Sequence, residues 1–111
     1  MNGPIIQTDV EERLIELADR LDNETENFGD IAHARALAEV AYKKEYATCM
    51  LQNEGTVANR ESIATIHCAE LLQSWKIKEA QEKAQQQLLI AIRNQLDAFR
   101  TISANVRSSG G

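Results

Sequence analysis

The sequence predicts an all-α fold: a long helical hairpin with a broken first arm, self-associating through its C-terminal helix. Three observations predict it. Residues 56–106 contain no proline and no glycine, and their pattern reads as one helix on the order of 75 Å long at 1.5 Å per residue. Leu89, Ile92, Leu96, Phe99, Ser103 and Val106 repeat at alternating intervals of three and four, the spacing of a coiled coil, and Leu88 and Ile102 widen that stripe. The only proline is Pro4, and the aromatics are confined to Phe28, Tyr42, Tyr46, Trp75 and Phe99. A helix of that length overruns the roughly 30 Å span of a small core, so a second arm and further copies of the chain are expected to cover it.

Each element follows in order. Residues 1–7 read as a flexible arm, 8–107 as the hairpin domain and 108–111 as a disordered tail. Thr8 and Glu11 fit a capping box at the start of the first helix, and the acids at 9, 11 and 12 suit its positive end. Val10, Leu14, Leu17, Ala18 and Leu21 then keep helical spacing. The stripe weakens across residues 22–27, Gly29 follows, and Asp30 is placed to cap a new helix, so a break or kink near 23–30 is expected. Leu21, Phe28 and Ile31 nonetheless hold heptad spacing through that segment. Residues 31–52 are apolar on most sides, which calls for cover from more than one direction. Asn53-Glu54-Gly55-Thr56 reads as a tight reversal, with Gly55 ending one helix in a left-handed conformation and Thr56 capping the next. Arg60, one turn on, reads as a turn-fixing or ion-pairing residue. In the middle of the last helix Ile77, Ala80 and Ala84 form the expected narrow seam.

Charge and composition narrow the function. The net charge is −5. Nine acids lie in residues 9–30 (Asp9, Glu11, Glu12, Glu16, Asp19, Asp22, Glu24, Glu26 and Asp30), beside only Arg13 and Arg20. That sign argues against generic binding of nucleic acid or anionic membranes, and the acids read as a solvated face. No apolar run is long enough to span a membrane, and no signal peptide is visible at the first residues. Cys49 and Cys68 lack a CxxC spacing and fit a reduced, cytoplasmic setting.

No nucleophile elbow, zinc-protease, phosphate-loop or dinucleotide motif is present, so neither an enzyme nor a cofactor is expected. Adjacent on a helix, His67 and Cys68 point about 100° apart and do not converge on one metal. Tyr42 and Tyr46 read as core residues, with Lys43 and Lys44 between them solvated. Arg93, Arg100 and Arg107 recur every seven residues. They flank the apolar stripe, where arginine stems cover a seam and their heads meet acids of a neighbouring helix. The alternative is an anion site, formed where two such helices bring their arginines together. Leu88, Leu89, Ile92, Leu96, Phe99 and Val106 form the expected oligomer interface.

The runs Tyr42-Lys43-Lys44-Glu45-Tyr46-Ala47, Glu54-Gly55-Thr56-Val57-Ala58-Asn59-Arg60-Glu61 and Arg93-Asn94-Gln95-Leu96-Asp97-Ala98-Phe99-Arg100 resemble a loose group of small helical proteins encoded by tailed bacteriophages and prophages. In that group a tyrosine-lysine helix leads to a turn of the form EG(S/T)V…R and then to an arginine-bearing helix. The match covers residues 37–107, and the acidic first helix matches in character. It implies a viral accessory protein in the cytoplasm of a bacterial host and carries over no catalytic residue. The expected role is stoichiometric, non-enzymatic binding to a host or phage protein, for instance to blunt a defence system. A second expectation is an oligomer holding a nucleotide in arginine-lined clefts. A third is an accessory to recombination or replication that touches single-stranded DNA, which the acidic charge weakens.

Overall fold

A computed structural model describes residues 7–109. They form three helices, α1 (Gln7–Gln52), α2 (Val57–His67) and α3 (Ala69–Ser109), with no strand among the described residues. The chain divides into two compact units: residues up to Phe28 with those from Gln85 onward, and residues Gly29–Ala84.

In the first unit α1 and α3 run antiparallel. Leu17 and Ile92, each 1% exposed, pack with Leu96, and Leu14, Leu21, Leu88 and Phe99 close around them. Polar contacts fix the register at both ends. Gln7 Nε2 donates to Ser103 Oγ at 3.0 Å. Gln85 Nε2 donates to both the backbone oxygen and the carboxylate of Glu24, each at 3.0 Å. The expected oligomer interface falls on this same stripe. Leu89, Ile92 and Leu96 are buried by α1 of the same chain. Leu88, Phe99 and Val106 are only half-buried.

In the second unit α1 is again antiparallel to the segment that follows the turn. Gly55 has a φ of +113°, in the region that favours glycine. Thr56 is the N-cap of α2, its hydroxyl accepting from the Asn59 N–H at 3.2 Å. The last carbonyls of α1 find partners in Asn53 Nδ2, bound to Cys49 O at 2.7 Å, and Arg60 Nη1, bound to Met50 O at 3.1 Å. Arg60 thus ties α2 to the end of α1 across the reversal. Cys49, Ala64 and Cys68 are buried here. Tyr42 stacks obliquely on Tyr46 and Trp75, with ring centroids 5.9 and 5.5 Å apart.

Four expectations are corrected. α1 is one helix through residues 23–30, and Asp30 lies inside it and caps nothing. The reason is continuity of the inward face: Leu21, Glu24, Phe28 and Ile31 are all half-buried at three-four spacing. One glycine costs only about 1 kcal/mol against that. The second arm, expected as one helix, is instead interrupted at Cys68 (φ −97°, ψ 9°), which separates α2 from α3. At the amino end, Gln7 is already helical, so Thr8 is not the N-cap, and Glu11 accepts from Gln7 Nε2 at 2.7 Å. At the carboxy end, Ser108 and Ser109 belong to α3 and not to a tail. The rest of the expected arm and tail lies outside the described residues.

The narrow seam also shifts. Ile77, Ala80 and Ala84 are exposed, and the inward positions between the two apolar stretches are Trp75, Lys78, Glu82 and Gln85. These share the three-four spacing of Leu89, Ile92 and Leu96 along the sequence.

Two outcomes follow. Gly55→Val is expected to destabilise the chain by more than about 1 kcal/mol, because a β-branched residue resists positive φ; urea unfolding at constant slope measures it. Leu96→Asp is expected to lose helicity in circular dichroism, since it buries a charge against Leu17. A Leu96→Asp chain that stays fully helical and merely loses mass in sedimentation would restore the seam to an interface between copies.

Candidate protein-docking groove

In the second unit the α1–α3 seam has two unlike flanks. Counting about 100° per residue from Arg35, Glu39 and Lys43 fall to one side of α1, while Ala34, Leu37 and Ala41 fall to the other. The first side carries a chain of charges. Arg35 Nε meets Glu82 at 2.8 Å and its Nη1 meets Glu39 at 3.0 Å. Lys43 Nζ reaches Glu39 at 2.7 Å and lies 5.6 Å from the Trp75 ring centroid. Lys76 Nζ sits 4.3 Å from the same centroid. The hydrogen bond from Lys43 leads the effects that hold Glu39 below the usual carboxylate range, with Arg35 adding to it. The hydrogen bond to Glu82 leads those that raise Arg35 above the usual arginine value.

The other flank is apolar. A groove of about 340 Å³ runs between the helices, lined by Ala34, Leu37, Ala38 and Ala41 of α1 and by Leu71, Ser74 and Lys78 of α3. Its floor is small because alanine and serine leave the backbones open, and Lys78 Nζ is held at its edge by Ser74 Oγ at 3.0 Å. Leu37 is 59% exposed at the groove and Val40, one turn further, is 63% exposed. The large apolar side chains most exposed among the described residues concentrate in this unit: Leu51, Val57, Ile63, Ile66 and Ile77 join those two, and only Ile15 and Ile90 belong to the other. Residues 31–52 were expected to be covered from more than one direction; among the described residues Leu37, Val40 and Leu51 stay exposed.

The expected anion-site arginines lie apart from the groove. Arg93, Arg100 and Arg107 are exposed along α3 of the first unit, beside the buried stripe. Arg100 pairs with Asp97 of its own helix at 3.2 Å, and Arg93 and Arg107 make no ion pair among the described residues. None of the three lines the groove. Gly55 and Thr56 take their expected places in the turn. Tyr42 and Tyr46 are half-buried with Lys43 and Lys44 exposed, and the aromatic faces are engaged with one another rather than offered to bases. His67 and Cys68 diverge as expected: His67 Nε2 lies 2.9 Å from Glu45 Oε1, while Cys68 is buried. No group of three or more His, Cys, Asp or Glu able to hold a metal occurs among the described residues, and none of the described helices is long and apolar enough to cross a membrane.

Sequence reasoning missed the groove, although its signal was present. Ala34, Leu37, Ala38 and Ala41 sit at three-four spacing beside the core positions, forming a second apolar face on α1. No protein-family model, curated protein or solved structure matches the chain.

The charged flank makes a pH prediction. A carboxylate whose value is depressed on folding adds stability above its unfolded value, and that stability is lost as pH falls through the folded one. Acid titration followed by circular dichroism is therefore expected to show an acid-side loss of stability that Glu39→Gln diminishes. An acid limb identical in the two proteins would mean that Glu39 takes no part.

Proposed function

We propose that the protein acts without catalysis, by stoichiometric binding of another protein whose amphipathic helix lies in the groove of residues 29–84. The observation that supports this is the apolar flank itself. Alanines at 34, 38 and 41 let a third helix approach closely, and Leu37 stands exposed at the groove to receive its apolar residues. Burying each large side chain of this kind contributes roughly 1.5–3 kcal/mol when complete. The exposed aliphatic surface is the kind that marks an interaction site. Taken with the resemblance to phage accessory proteins, the partner is a host or phage protein in a bacterial cytoplasm, and inhibition of a defence component is the role that such binding would serve.

The test compares tagged wild type, Leu37→Asp, Ala41→Arg and Arg100→Gln in capture from bacterial lysate, each first checked for native helicity. Both altered groove positions are exposed or at the rim, so the fold should survive. Wild type and Arg100→Gln are expected to retain one partner at equal molar amounts, and the two groove variants to lose it by more than tenfold. Equal capture by all four chains would sink the groove reading.

A further inference from the structure

Contacts across the seam of residues 29–84 recur at seven-residue steps. Arg35 meets Glu82 at 2.8 Å, and Tyr42 meets Trp75 with centroids 5.5 Å apart. Moving forward seven on α1 and back seven on the facing segment goes from the first pair to the second. One more step leads to Cys49 and Cys68. Both thiols are free and buried, 6% and 0% exposed. Ala64, also fully buried, lies one turn from Cys68. Helix axes approach to about 8–10 Å according to the side chains at the contact, and small residues set the near end of that range. A disulfide needs Cα atoms about 4.4–6.8 Å apart. Cys68 is also the one residue between α2 and α3 that leaves helical geometry, so its backbone is less constrained than a mid-helix position.

We propose that Cys49 and Cys68 are a cross-linking site: a facing thiol pair that closes into an intramolecular disulfide on reaction with a low-molecular-weight disulfide. Cys49 lies beside the turn, and Asn53 Nδ2 donates to its sulfur at 3.4 Å. It attacks first. Its thiolate bonds to one sulfur of the small disulfide, whose S–S bond breaks and releases one small thiolate. Cys68 then loses its proton to solvent and attacks Cys49 Sγ in the mixed disulfide, releasing the second small thiolate. Two protein thiols are oxidised and the small disulfide is reduced to two thiols. Burial, with Cys49 and Glu45 nearby, pushes the Cys68 thiol up from its ordinary value, so the second step is slow near neutrality and quickens with rising pH. The closure would staple the end of α1 to the joint between α2 and α3.

The experiment uses the full reduced chain with oxidised glutathione at pH about 7 and about 9, quenched in acid. Intact mass and non-reducing peptide mapping follow the products. The expected result is a monomer lighter by two hydrogens, with peptides containing Cys49 and Cys68 joined, forming several-fold faster at the higher pH. In Cys68→Ser, checked for native helicity, a single persistent glutathione adduct on Cys49 is expected. Two adducts on the wild type, thiols left unreacted at the higher pH, or a covalent dimer would each overturn the proposal. An unmodified Cys49 in Cys68→Ser would overturn the assigned order of attack.

Discussion

The alternation of three and four along both long helices is the constraint on which the rest depends. On α1 the inward positions run Val10, Leu14, Leu17, Leu21, Glu24, Phe28, Ile31 and Arg35, and they continue through Tyr42 to Cys49. On α3 they run from Leu71 through Trp75, Lys78, Glu82 and Gln85 to Leu89, Ile92 and Leu96. Within each unit, a seven-residue repeat keeps one face of a helix toward its neighbour. Once that phase is set, every other surface is assigned. The arginines at 93, 100 and 107 must flank the stripe, the acids of residues 9–30 mostly face outward, and the alanines at 34 and 41 must line a groove.

Chemistry along the stripe varies while its phase does not. In the first unit it is aliphatic around Leu17, Ile92 and Leu96 and closes with Gln85 against Glu24. In the second it carries an ion pair, an aromatic pair and two thiols in succession. Aliphatic residues supply drive with little choice of register, because a leucine packs almost as well one turn away. A partly desolvated Arg35–Glu82 contact or a Gln85 amide bound to a backbone oxygen fits only one alignment, since its misplacement leaves polar atoms unpaired. Within each unit the polar links therefore narrow the alignments open to it.

Much of this was legible in the residues. Gly55, Thr56 and Arg60 specified the reversal because backbone sign, hydroxyl capping and a long donor each have one obvious use there. Residues 89–106 announced their stripe because its members are apolar. Three things were not legible, for different reasons. Gly29 and the acids around it weaken α1 locally, but Gln85, sixty-one residues away, holds Glu24, and no local rule contains that contact. Lys78 and Glu82 looked like solvent residues, which hid the phase of the middle of α3 and moved the expected seam onto Ile77 and Ala80. Periodicity says that a face is covered but not by which chain, and it is α1 of the same chain that packs on Leu96. The joint at Cys68 has no glycine or proline to mark it. The groove was visible as a second apolar face, and only its exposure among the described residues gives it meaning.

Trp75 is the chain's single tryptophan, and it lies wholly within the second unit, close to Tyr42 and to the ammonium groups of Lys43 and Lys76. Its emission is therefore a local reporter, sensitive to the loss of those neighbours and silent about Leu17 and Ile92. Backbone ellipticity, by contrast, sums over both units. Any gap between an emission melt and an ellipticity melt of this molecule is a direct reading of how far its two units unfold as one cooperative body.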